Sequence, residues 1–495
     1  MPTSPSLAGR AAFAAALMIG FYALALGIAG FLFWMPYYEW SAAKTVHPKL
    51  VVMAVLGGGA ILWAICPRID RFEAPGPRLD RTAQPELFAA IDEVAAATGQ
   101  DAPSEVYFVN DVNAWVTERG GVMGFGSRRV MGLGLPLMQL LTVSEFKGVL
   151  AHEFGHYHGG DTKLGPWIYK TRGAIVRSVQ NLESSLLQKP FVWYGNMFLR
   201  MTHGVSRSQE YAADALASSV VGKTAMATGL RAIHAAGSEF EVYWQTEAVP
   251  VLTSGYRPPL AAGFARFLGS SDSRARIAEQ LVHATAKASA NPYDTHPSLS
   301  ERTAAIEALP NPMRTLARDD RPAISLMRDL PTVEFAMLAT IAGDSNARNL
   351  KQVDWDRVAE IVYLPNWRSR CSAQAELLRG ARVADLPRRA SLKAPLIARA
   401  RQAMREGHDY DPTLDAALAE LDTLGAAVAI ALHERGHRAE CAPGAPIVFR
   451  NRDETASHAT LEPFESVRAL SENKMGAGEW KSTCEAFGIH EVLLG

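Results

Sequence analysis

The chain has 495 residues, 48% hydrophobic and 20% charged, and its 50 Lys and Arg against 51 Asp and Glu leave a net charge of −1. That balance excludes a global electrostatic drive toward nucleic acid and a charged tail as the main device. The apolar content excludes general disorder, and four cysteines with no CxxC pair exclude a disulfide scaffold.

The N-terminus reads as a membrane hairpin. Ala11 to Trp34 carry no charged side chain. At about 1.5 Å per residue, a helix of that length crosses a hydrocarbon core of about 30 Å. A second apolar run, Leu50 to Cys66, sits at the lower limit of a span and is bracketed by Lys49 and Arg68. The first run is longer than the apolar part of a cleaved signal peptide, and a second follows it closely. Arg68, Arg71, Arg78 and Arg81 follow the hairpin, whereas Lys44 and Lys49 lie in the loop and Arg10 in the tail. This excess predicts both termini and the large downstream region on the cytoplasmic side.

After a Pro75-Gly76-Pro77 linker, Leu87, Ile91 and Val94 recur at helical spacing, with Gly99 as the stop. Val106 to Asn110 reads as a strand, Asn113 to Gly121 as a second strand with a turn, and Arg128 to Gly134 as a third. Thr142 and Glu145 form a capping-box pattern at the start of a helix that contains VLAHEFGH. The stretch from Thr162 to Ser219 reads as mixed helix. Its segment FVWYGNMFLRM lies close to charged residues, so it reads as an amphipathic or core helix. From about Asn311 helical patterns dominate to about Leu432, and a strand-like tail follows.

The strongest chemical signal is His152-Glu153-Phe154-Gly155-His156. On a helix, positions i and i+4 share one face, so both imidazoles can reach one ion, with Glu153 beside it to take a proton from a bound water. Zinc suits nitrogen and carboxylate donors in a tetrahedral site with one open position. Glu210 and Asp214, again i and i+4, begin 54 residues after His156. Glu210 supplies the third ligand. Asp214 accepts the second N–H of a ligating histidine and fixes its tautomer. The competing account of that pair is a solvated acidic face, but Ala212, Ala213, Ala215 and Ala217 argue for close helix packing.

With 13 histidines in the chain, chance predicts His-Glu-x-x-His only about 0.02 times, yet a second copy stands at His433 to His437. It closes the apolar helix LGAAVAIAL, Gly436 reads as the residue just past a helix end, and no acidic i, i+4 pair follows. This copy is therefore read as a decoy. No Gly-x-Ser-x-Gly nucleophile pattern appears.

The set Asn113-Ala114-Trp115, Leu141 to His156, Asp161, Ser206 to Asp214 and Thr295 to Ile306 resembles the gluzincin metallopeptidases of the HtpX and CAAX prenyl protease type. The likeness covers about Arg78 to Leu309. It implies a membrane-anchored zinc endopeptidase with one Zn²⁺ per chain on His152, His156 and Glu210, Glu153 as general base, and polypeptide substrates, with membrane-protein quality control as a role. It further implies that Asn113 and Ala114 lie on an edge strand that pairs with substrate backbone, and that His296 donates to the tetrahedral oxyanion. Arg302 and Arg207 are expected to anchor their segments by salt bridges, Arg207 near Glu210. HtpX-type chains carry further membrane helices between the two zinc motifs. Here Lys170, Arg172, Arg177, Glu183 and Lys189 interrupt that region, so two membrane helices are expected.

The expected architecture is α+β and mainly α-helical. Residues 1–68 form the tail and transmembrane hairpin, 69–310 a zincin-like catalytic domain with a small β-sheet, and 311–495 a helical C-terminal region ending in strands. A non-catalytic membrane scaffold or chaperone that keeps the zincin fold is the competing function, and the intact ligands and Glu153 argue against it.

Overall fold

The computed structural model describes residues 7–45, 47–66, 72–120, 126–156, 165–182, 186–286, 297–405, 412–453 and 457–494. It divides into two compact units, Met1–Gly237 with Ala278–Ile341, and Ser238–Ile277 with Ala342–Gly495.

In the first unit, the apolar runs form helices α1 (Leu7–Ala43) and α2 (Pro48–Ile65), which pack along each other. Leu17, Phe21, Ala25 and Ala29, four residues apart, make one buried face of α1. Other faces expose Ile19, Phe31, Val52, Leu56 and Trp63, the arrangement a bilayer rather than water would cover.

Two later helices join this hairpin. They are introduced here by range: Gly165–Asn181, and the long Gln188–Val221, whose first half places Phe191, Tyr194 and Phe198 on the α1 face. The Tyr194 hydroxyl donates to the Leu17 carbonyl at 2.6 Å, and Gly20 makes room for it, since a Cβ there would stand 2.5 Å from that oxygen. Arg177 donates from Nε to the Ala64 carbonyl of α2. The expected core helix is thus packed on the apolar hairpin itself.

The rest of the unit starts with α3 (Pro85–Thr98), which buries Leu87, Ile91 and Val94 and stops at Gly99 with φ +65. Strands β1 (Glu105–Val109), β2 (Ala114–Arg119) and β3 (Arg128–Gly134) follow. Their order is β1-β3-β2, with β1 parallel and β2 antiparallel to β3. Strand β2 therefore forms an edge of this sheet. A short α4 (Leu135–Leu140) leads to α5 (Val143–Gly155), whose capping box between Thr142 and Glu145 is formed in both directions. Backbone bonds from Val143 and Ser144 to the carbonyls of Arg321 and Asp319 occupy two further N–H groups of its first turn. The next two helices, introduced above, are α6 (Gly165–Asn181) and α7 (Gln188–Val221).

The second unit is built round the helix Pro412–Glu434. Among the described residues it is one of three helices long and apolar enough to cross a membrane, with Ala15–Ala43 and Pro48–Ile65, but 61% of its apolar window is buried in protein. Its Leu421, Leu424, Val428 and Leu432 pack in a core with Phe449, Trp480 and Phe487. The expected C-terminal strands are present as a three-stranded sheet of Arg438–Glu440, Val448–Arg450 and Thr460–Leu461. Two further helices, Pro463–Ser471 and Ala477–Ala486, follow it.

Candidate metal centre

Helices α5 and α7 meet at a contact that only small residues permit. A Cβ on Gly155 would lie 2.8 Å from the Ala213 Cα, and one on Gly148 would lie 3.1 Å from Val221. This close approach sets the His152/His156 face of α5 against the Glu210/Asp214 face of α7. Phe146, Leu150 and Phe154 are fully buried and fix the rotation of α5.

The three expected ligands converge. One donor atom from each of His152, His156 and Glu210 lies within 4.8 Å of the others. The Nε2 atoms of His152 and His156 stand 3.5 and 3.7 Å from the two Glu210 oxygens. Two ligands each about 2.1 Å from a tetrahedral zinc lie about 3.4 Å apart, so the donor set and its spacing fit zinc.

Asp214 sits behind His152. Its Oδ1 lies 2.9 Å from His152 Nδ1, and Arg302 forks onto the same carboxylate through Nε at 2.8 Å and Nη2 at 2.6 Å. Arg302 Nη2 is also 3.4 Å from His152 Nδ1. The guanidinium is always a donor, so these two nitrogens share Asp214 as acceptor. That leaves the His152 Nδ1 protonated and its Nε2 lone pair turned toward Glu210. Burial pushes Asp214 upward, but the Arg302 and His152 hydrogen bonds outweigh it and hold the carboxyl below its ordinary range. Arg302 Nη1 also stands 3.6 Å from Glu210. The guanidinium thus balances two buried carboxylates at once, which burial alone would penalise.

Glu153 lies beside the ligands. Burial drives its pKa up to about 7, His152 opposes the shift, Glu210 adds to it, and the Val116 N–H, which the carboxylate accepts, opposes it. That bond reaches the outer edge of β2. Backbone groups two residues apart project from the same edge of a strand, so Ala114 shares that edge with Val116. Ala114 is buried and Asn113 is exposed; the Asn113 carbonyl is turned into the sheet, where it accepts from Gly134 N–H at 2.9 Å. Arg207 bonds Glu301 at 2.8 Å, tying α7 to the helix Leu299–Ala308 that carries Arg302. His296, with Thr295 and Asp161, lies outside the described residues.

Among the described residues the second His-Glu-x-x-His joins no group of metal-ligating side chains. Its helix ends at Glu434, and Gly436 takes φ +82. His437 is buried, with Nε2 on the Phe487 carbonyl at 2.9 Å and Nδ1 accepting from Arg452 N–H at 3.1 Å. Both ring nitrogens are used in structural bonds.

Residues 81–309 match the model of peptidase family M48. They form an M48 peptidase domain. Curated relatives point the same way. The chain is 21% identical over 272 residues to a "Protease HtpX homolog" of Tropheryma whipplei, covering 53% of this chain and 85% of that protein. It is 27% identical over 217 residues to "Protease HtpX" of Idiomarina loihiensis, covering 39% and 74%. It is 26% identical over 295 residues to "Protease HtpX homolog 1" of Streptomyces coelicolor, covering 56% and 89%. No solved structure matches. The resemblance to HtpX-type metallopeptidases holds at low identity, and with the apolar hairpin it makes the chain a membrane-associated metallopeptidase.

Two contributors escaped the sequence. The Val116 main chain has no side-chain signature. Arg302 was expected to anchor its segment by salt bridges, but nothing local in the sequence marks its partner as the Asp214 that also faces His152.

Proposed function

We propose that the chain is a membrane-anchored zinc endopeptidase with its catalytic domain on the cytoplasmic side, in keeping with the basic residues that follow the hairpin. The observation that carries this is the convergence of His152, His156 and Glu210 with Glu153 at the outer edge of β2. One Zn²⁺ held by the three ligands supplies Lewis-acid activation of a water and of the scissile carbonyl.

Asp214 and Arg302 hold His152 in the tautomer that offers Nε2. Glu153 takes a proton from the attacking water and delivers it to the leaving amine; a carboxyl whose pKa lies near neutrality suits both transfers. The outer edge of β2 at Ala114 takes an extended substrate backbone as an added strand, and Asn113 flanks its entry. His296 donates to the oxyanion, and Arg207 keeps the Arg302 helix in place. An extended segment presented at a strand edge suits unfolded chains, which fits a role in membrane-protein quality control.

The test is Glu153→Gln in the full chain with unfolded casein as substrate. Cleavage should fall by about 10²- to 10⁴-fold while bound zinc per chain is unchanged. Wild-type cleavage by the variant would remove Glu153 as the base.

A further inference from the structure

The second unit contains a cavity of about 830 Å³ that plays no part in the proposed peptidase site. Two widened helical turns border it. In Trp244–Ala248 the Val249 N–H reaches back to the Trp244 carbonyl, and in Ala359–Tyr363 the Leu364 N–H reaches back to the Ala359 carbonyl. Such i to i+5 turns are rare, cost stability, and recur where a side chain must be re-aimed for function. Here each supplies the cavity with polar groups, Glu247 from the first turn and Tyr363 from the second.

The wall is aromatic. Tyr363 and Trp367 stack at 6.1 Å, and Phe464 meets Trp367 at 5.5 Å. The same lining holds the Glu247 carboxyl, whose Oε1 accepts the Gly444 N–H at 3.1 Å. Among the described residues no cation pairs with it. Burial raises its pKa, with only that backbone bond opposing.

The cations lining the cavity are already matched. Arg370 and Arg468 both pair with Asp422, and Arg468 also with Glu465. The remaining titratable groups are neutral at physiological pH, since burial pushes the Cys441 thiol up to about 12 and raises the Tyr363 hydroxyl too. Among the described residues Glu247 is therefore the lining carboxyl without a cationic partner, in a wall that also carries the rings of Tyr363, Trp367 and Phe464.

We propose that this cavity binds an organic cation carried on an apolar body, with the ammonium or guanidinium between Glu247 and the rings of Tyr363, Trp367 and Phe464. Ring faces and a poorly solvated carboxylate both favour a cation, and the volume falls in the range of small-molecule sites, roughly 300–1,000 Å³. The site is independent of the peptidase proposal and can stand or fall without it.

The experiment is calorimetric titration of the full chain in lipid nanodiscs, with empty nanodiscs as blank. Three ligands share one body: 4-phenylbutylamine, 4-phenylbutan-1-ol and 4-phenylbutyrate. The amine should bind at least about tenfold more tightly than the alcohol, and the carboxylate should not bind. Glu247→Gln, which keeps an acceptor for the Gly444 N–H, should weaken the amine about tenfold and leave the alcohol unchanged; Tyr363→Phe with an unchanged thermal midpoint serves as a second variant and should weaken the amine less. Displacement of the amine by acetyl-Phe-Lys-amide would assign the natural cation to a peptide side chain, and failure to displace it would assign it to a free amine. Absence of amine binding, equal binding of the alcohol or carboxylate, or an amine affinity indifferent to Glu247→Gln would overturn the proposal.

Discussion

The two His-Glu-x-x-His copies share residue types and spacing, and they end up in opposite situations. At the first, His156 closes α5 but keeps right-handed helical angles, φ −61 and ψ −18, so its ring stays on the face of His152, 4.8 Å away between centroids. At the second, the helix stops at Glu434 and Gly436 takes φ +82, a conformation glycine adopts at little cost. His437 is thereby turned into the second unit's core, where two backbone groups use both its nitrogens. The neighbours differ as well. Glycines on α5 admit a facing helix that brings Glu210 and Asp214. A metal motif is thus a pattern plus four residues of uninterrupted helix plus an acidic partner at close approach.

That contrast can be sharpened by mutation. Of the two copies, the larger effect is expected behind His152. Asp214→Asn removes the acceptor that His152 and Arg302 share, and zinc affinity, read by competition with a chromophoric chelator, should fall by about 10- to 100-fold. An unchanged affinity would mean that the carboxylate does not orient the ligand. A smaller and different effect is expected at the other copy. His437→Ala leaves the Phe487 carbonyl and the Arg452 N–H without their buried partner and should lower stability by about 1–3 kcal/mol in a denaturant titration, with zinc content and peptidase activity intact. Loss of zinc in that variant would erase the distinction between the two copies.

Local signals carried much of this into the sequence. The capping box at Thr142 and Glu145, the Gly99 stop and the Arg128–Gly134 strand are visible because a few adjacent residues determine them. The convergence of His152, His156 and Glu210 was visible because helical spacing turns sequence distance into direction. What could not be read is non-local. The parallel pairing of β1 with β3 has no marker in either strand.

Hydropathy also averages over faces. Lys170, Arg172 and Arg177 made the region of α6 look unsuited to the hairpin, yet Arg177 reaches the Ala64 carbonyl while Ala174 and Ile175 pack against it. The same average cannot tell whether lipid or protein covers an apolar helix, and Pro412–Glu434 is covered by the second unit's own core. The Glu153 contact with Val116 belongs to this class too, since any residue could have offered that N–H.

Counting zinc per chain by elemental analysis, on wild type beside Glu210→Ala, tests the centre most directly. The wild type should hold one zinc per chain, and the variant, left with two imidazoles and no carboxylate, should hold almost none after dialysis against a weak chelator. A wild type that binds no zinc, or a Glu210→Ala chain that keeps a full equivalent, would contradict the account.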